Sequence, residues 1–101
     1  MNERDIKSGR VTSIVHEGVA KFITETANNS SFITVSYVHL TKSGSSARVY
    51  YSVFPEERSE QAADFLRRQE QACKEYLKKH SMLRTVPTIR FVQAKEMPGT
   101  G

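Results

Sequence analysis

From Val11 the apolar positions run Val11, Ile14, Val15, Gly18, Val19, Phe22 and Ile23, the i, i+3, i+4, i+7 spacing of one helix face. Thr12, Ser13, His16, Glu17 and Lys21 fall on the other side, and the polar run Asn28-Asn29-Ser30-Ser31 ends the pattern. The spacing predicts an amphipathic helix opened by Arg10, with residues 1–9 as a charged, flexible leader. Gly18 lies on the apolar stripe, where a missing side chain costs about 1 kcal/mol relative to Ala. A close contact with a sheet would account for it.

Phe32 to Leu40 is rich in β-branched and aromatic residues. In the next segment Ala47, Val49, Tyr51 and Val53 alternate with Arg48, Tyr50, Ser52 and Phe54, the period of a half-buried strand. The polar run from Thr41 to Ser46 joins the two as an antiparallel hairpin. The first strand breaks its alternation: Ile33, Val35 and Tyr37 imply one face, Val38 and Leu40 the other. A bulge, or an end buried on both sides, would reconcile them. Pro55, Glu56 and Glu57 close the second strand, and Ser59 stands at an N-cap position.

From Ser59 to about Ser81 there is no Gly or Pro, and Ala62, Phe65, Leu66, Gln69, Ala72, Cys73, Tyr76, Leu77 and His80 trace a helical stripe. Asp64 with Arg68, Glu70 with Lys74 and Glu75 with Lys79 stand at i, i+4 as acid-before-base pairs. A straight helix of that length would run ~33 Å, which predicts a bend. Val86-Pro87 leads into a last strand, Thr88 to Gln93, with Ile89 and Phe91 inward and Arg90 outward, and residues 94–101 read as a disordered tail. This order places helices on one face of a small sheet in an α+β domain.

Composition narrows the picture without deciding it. A chain of 101 residues holds one compact domain, and 38% hydrophobic with 26% charged residues suits a folded chain of modest stability. The lone Cys73 excludes an internal disulfide and a multi-thiolate zinc site, and fits a reducing compartment. The charged N-terminus has no signal-type apolar region and no apolar run reaches the ~20 residues of a membrane span, so a cytoplasmic protein without membrane partners is expected. A net charge of +4 and a pI near 9.4 favour a polyanionic partner over an acidic substrate.

Candidate chemistry is sparse. His16, His39 and His80 are scattered over different elements, with no second cysteine and no carboxylates at ligand spacing, so neither metal nor cofactor is expected. Cys73 on the apolar stripe reads as core, and His80 as a helix-end residue facing the dipole. No phosphate-cradling glycine loop or usable Ser/His pair occurs, and an enzyme with a small-molecule substrate is not expected. The remaining signal is basic. Arg67, Lys74 and Lys78 lie at i, i+7, i+11 on the long helix, flanked by Arg68 and Lys79. Arg10 opens the first helix, Lys42 is in the hairpin loop, Arg48 and Arg90 take outer strand positions, and Arg84 precedes the last strand. Between Ser59 and Arg84 six basic against four acidic residues leave only +2. Phosphate binding and a solvated, salt-bridged helix face are both compatible with that pattern.

Several blocks together resemble bacterial ribosome-binding factor A: Arg10-Val11; Ile33-Thr34-Val35-Ser36 with Val38; Ala47-Arg48-Val49-Tyr50-Tyr51-Ser52-Val53; and Leu83-Arg84-Thr85-Val86-Pro87-Thr88-Ile89-Arg90-Phe91. The resemblance covers residues 10–93. It implies a type II KH-like domain of order αββααβ, a three-stranded sheet with helices on one face, and a kink between two helices in place of a glycine-rich loop. It further implies a monomeric factor for late maturation of the small (30S) ribosomal subunit, acting on 16S rRNA and its processing and in cold adaptation. The family's kink usually carries Ala-x-Gly, whereas Gln69-Glu70-Gln71-Ala72-Cys73 has no glycine, and Thr26 to Ser31 lacks the Asp-Pro-Arg pattern of relatives. On this reading the RNA-binding candidates are Arg10, Lys42, Arg67, Arg68, Lys74, Lys78, Arg84 and Arg90. The alternative is a protein-protein adaptor using a sheet edge or the outer aromatic face, where Tyr50 and Phe54 alternate with Arg48.

Overall fold

Helix α1 (Glu3–Thr26) leads into strands β1 (Phe32–Leu40) and β2 (Ser46–Phe54); a 3₁₀ turn (Glu56–Arg58), helix α2 (Ser59–His80) and strand β3 (Thr88–Gln93) complete the chain. The computed structural model describes residues 3–26 and 32–94. The order αββααβ is met with the 3₁₀ turn as the first of the two consecutive helical segments. The Asn28–Ser31 stop and the tail from residue 95 lie outside the described residues.

Two boundaries differ from the sequence expectation. The first helix starts at Glu3 and not at Arg10, so the segment read as a leader is helical from Glu3. Glu, Arg and Lys are good helix formers, and apolar periodicity marks only the part of a helix that packs. Ser59 is not an N-cap. The 3₁₀ turn runs directly into α2, the capping position falls on Arg58 and no side chain caps it.

The strands form one sheet in the order β1-β2-β3, with β1 antiparallel and β3 parallel to the central β2. The parallel pair requires a crossover, which α2 supplies. In the hairpin Gly44 takes φ +77° and donates its N–H to the Thr41 carbonyl at 2.8 Å, while the Thr41 N–H reaches Ser46 O at 2.9 Å. Left-handed φ suits glycine. The expected irregularity in β1 is a bulge: Val35 pairs with Tyr51 but Tyr37 pairs with Tyr50, leaving Ser36 as the extra residue. Past it the alternation reverses, so Val38 and Leu40 face inward and Tyr37 and His39 outward.

Both helices cover the same sheet face. Val15, Val19, Phe22 and Ile23 of α1 and Leu66, Cys73 and Leu77 of α2 close over Val38, Ala47, Val49, Tyr51 and Ile89 in one core. The predicted stripes hold, except that Ala72 and His80 of α2 are exposed. Gly18 is a helix–helix contact and not a sheet contact: a Cβ there would collide with the Leu77 side chain. The domain is a plate of 43 × 37 × 16 Å, broad enough to carry α2 uninterrupted across 22 residues. The predicted bend does not break that helix, because no Gly or Pro interrupts it.

Each edge strand is held by a polar side chain from a helix. Glu70 of α2 accepts the Phe91 N–H of β3 at 2.9 Å. On the opposite edge His16 of α1 places Nε2 3.3 Å from the Val35 carbonyl, at the bulge. A carbonyl only accepts, so that nitrogen carries the proton. Unpaired strand edges invite intermolecular pairing, and these two contacts occupy part of each.

Candidate nucleic-acid interface

The register fixes the composition of the sheet face that the helices leave uncovered. Across it run the rows His39–Arg48–Arg90 and Tyr37–Tyr50–Val92, then Thr34 with Ser52, and Phe54 at the end of β2. Arg48, Arg90, His39, Thr34 and Ser52 are exposed. Tyr37 is 49% and Phe54 72% exposed, whereas Tyr50 is only 4% exposed, although it stands on the uncovered face. The Tyr37 and Tyr50 rings lie 6.1 Å apart at 39°. Tyr37 thus presents an exposed ring beside a buried one.

The eight basic candidates do not converge on one patch. Arg67, Arg68, Lys74 and Lys78 lie on the solvent side of α2 and Arg10 on α1, all within the helical layer. Lys42 occupies the hairpin turn, Arg84 the segment before β3, and Arg90 the outer sheet face. The helix ion pairs are i, i+3 and not i, i+4: Arg67–Asp64 at 3.5 Å and Lys78–Glu75 at 3.4 Å. Such exposed pairs contribute little and leave the cations available. Glu70 does not meet Lys74; it turns to β3, where its other oxygen lies 3.9 Å from Arg90 Nη1. Two residues missed as candidates, Tyr37 and Arg48, join Arg90 on one face. The break in β1 alternation was the signal for Tyr37, because a bulge before it inverts its side.

Two titratable side chains are shifted by their packing. Burial pushes the Cys73 thiol up to about 12, which keeps it protonated and unreactive at neutral pH. Tyr76 is also raised, by desolvation first and then by its hydrogen bond to the Glu25 carboxylate and that charge. Tyr76 packs edge-on against Phe22 at 5.5 Å and lies tilted against His80 at 4.4 Å. His80 is thus a ring-stacking partner in the last turn of α2, where Lys78 and Lys79 also sit at the negative end of the helix dipole. An open cleft of about 770 Å³ between the helices, lined by Glu17, Lys21, Tyr76 and Met82 among others, brings together no nucleophile and base. Among the described residues no group of His, Cys, Asp or Glu is placed to hold a metal ion, and no helix is long and apolar enough to cross a membrane.

Comparison with known proteins gives a consistent picture. The family model described as Ribosome-binding factor A matches residues 7–98. The crystal structure of ribosome-binding factor A from Thermus thermophilus is similar at 26% identity and a TM-score of 0.78, over 90% of this chain and 99% of that one. A homology model of the Thermus thermophilus factor, fitted into a cryo-EM map of its complex with the 30S subunit, matches at 28% identity and a TM-score of 0.73, over 88% of this chain and 97% of that one. No curated protein sequence matches.

Proposed function

The chain belongs to the ribosome-binding factor A family, and on that premise we propose that it binds the small ribosomal subunit and assists its late maturation by contacting 16S rRNA. The observation that carries this reading is the shared fold with the Thermus chain fitted into a 30S complex, which spans nearly the whole of both molecules. The distribution of charge supports it. Arg10, Lys42, Arg68 and Arg84 are exposed, and no ion pair engages them or the half-buried Lys74 among the described residues. Arg67 and Lys78 sit in weak, exposed pairs that a phosphate can displace, and Arg90 makes only a 3.9 Å contact with the largely buried Glu70. Cations spread over a plate, with no reactive constellation, suit recognition of RNA shape through phosphates. The factor acts in the cytoplasm as a monomer without catalysis of its own, and its contribution to 16S rRNA processing and cold adaptation follows from holding the immature subunit.

Co-sedimentation with small subunits tests the reading. Binding weakens steeply between low and high salt, because each phosphate contact releases counterions. Reversing Lys74 and Lys78 together to Glu weakens it further while leaving the melting temperature nearly unchanged. Salt-insensitive binding, or none to immature subunits, would overturn the proposal.

A further inference from the structure

We propose that the uncovered sheet face is a binding site for unpaired RNA, with Tyr37 as the ring on which a base stacks and Arg48 and Arg90 as the phosphate contacts. This deepens the reading of the chain as a small-subunit RNA binder and rests on it, by specifying which form of RNA meets this face.

Three observations carry the inference. The first is the Tyr37–Tyr50 pair. The bulge at Ser36 turns Tyr37 outward, and its ring lies 6.1 Å from that of its cross-strand neighbour Tyr50, which is 4% exposed. A half-exposed ring beside a buried neighbour is a preformed platform, and every base presents a π-face to such a ring. The second is the row beside it. The parallel register sets Arg48 directly opposite Arg90, with His39 on the other side of Arg48. Like charges directly opposite each other on neighbouring strands are unfavourable, and a bound anion relieves that repulsion. Arg48 has no ion pair among the described residues, and Arg90 has only the 3.9 Å contact with Glu70, which reaches round from the sheet edge.

The third observation is the sign of the surface. No acidic side chain occupies an outward strand position among the described residues. Glu56 and Glu57 stand beyond Phe54, past the end of β2, so the face is basic towards the hairpin and acidic only past its far end. Tyr37 and His39 are two residues apart on one strand, ~6.7 Å, so the ring and the basic row lie within reach of one nucleotide. A carboxylate on a protein partner would also satisfy the facing arginines; the reading of the chain as a small-subunit RNA binder is what selects nucleic acid as the anion. A duplex offers the anions but hides its base faces, which leaves an unpaired strand as the ligand that satisfies both rows.

The full chain is titrated with a fluorescently labelled, short single-stranded oligoribonucleotide and, separately, with a hairpin duplex of matching length, while small-subunit co-sedimentation is measured in parallel. Tighter binding of the single strand is expected, with Tyr37→Ala weakening it roughly 5- to 100-fold and Tyr37→Phe retaining it. Arg48→Gln, an exposed change that keeps the fold, weakens it independently of any effect of Tyr37→Ala on stability. Equal affinity for both RNAs, or single-strand binding indifferent to Tyr37→Ala, overturns the inference. Subunit binding that persists unchanged in the Tyr37→Ala and Arg48→Gln variants also overturns it, while leaving the subunit reading intact. Loss of subunit binding in the unmodified chain, with Tyr37-dependent single-strand binding preserved, overturns the subunit reading and supports the stacking site. Ribonuclease-resistant capture of a protein that is lost in Tyr37→Ala assigns the face to protein docking and overturns the inference.

Discussion

Tyr50 and Tyr51 are neighbours on one strand, both almost fully buried, yet they belong to opposite faces of the sheet. Tyr51 is covered by the helices and touches Phe91 edge-on at 6.2 Å in the core. Tyr50 faces the other way, beside Tyr37, whose ring lies 6.1 Å from its own. On the covered face burial is imposed by another layer, so changes there act on folding. On the open face the neighbouring Arg48, Arg90 and Tyr37 stay exposed. A residue's exposure therefore does not tell which face it serves; the register does.

This contrast can be tested by breaking each face in turn. Leu66→Ala, on the buried face of α2, should cost about 2 to 5 kcal/mol of unfolding free energy in denaturant titrations, the usual range for a buried leucine truncation. A cost near zero would mean that the helices do not seal that face. The alkaline limb comes next. The Cys73 thiol is raised from 9.0 to about 12 in the fold, so the unfolded chain releases that proton first. Its stabilising effect is complete below about pH 9 and declines as pH rises towards 12, with a slope of at most ~1.4 kcal/mol per pH unit. Cys73→Ala should flatten that decline in pH-dependent unfolding, and thiol reagents should label Cys73 at neutral pH only when the protein unfolds.

The boundary between the faces is the sheet edge, where an intermediate effect is expected. Glu70→Ala leaves the Phe91 N–H without its carboxylate acceptor, at about 1 to 3 kcal/mol if water does not replace it. Thermal unfolding with Glu70→Gln as the partner variant checks this, since the amide oxygen can still accept. The smallest effect on stability belongs to the open face. Tyr37→Ala should cost under about 1 kcal/mol, the scale of one cross-strand pair, while the proposed stacking role predicts a large loss of single-strand RNA binding. A loss as large as that of Leu66→Ala would show that the open face is part of the core after all.

The blocks that resemble the family were legible because strand alternation and helix periodicity are local properties. Ala47, Val49 and Tyr51 against Arg48, and Ile89 and Phe91 against Arg90, follow from period two alone. The helix start was misplaced because Glu3 to Arg10 carry no apolar rhythm, and charged residues are indifferent to the pattern that marked Val11. The i, i+4 pairs failed at Glu70 because a strand N–H from a distant part of the chain competed for the carboxylate. The RNA-binding candidates were chosen by charge, which does not report sides. Period two puts Arg48 and Arg90 on outer positions, but only the sheet register shows that they are direct neighbours and that Tyr37 stands beside their row.

By itself the sequence determined the α+β class, the single core and the side of most strand residues, since each depends on spacings within one element. It also determined a modest basic excess without a reactive constellation. Tertiary structure decided how those charges are grouped. Pairing β2 with β3 in parallel set two arginines side by side, and one extra residue in β1 carried an aromatic ring to join them. Such juxtapositions arise between segments far apart in the chain, where local periodicity carries no information about which strand lies next to which.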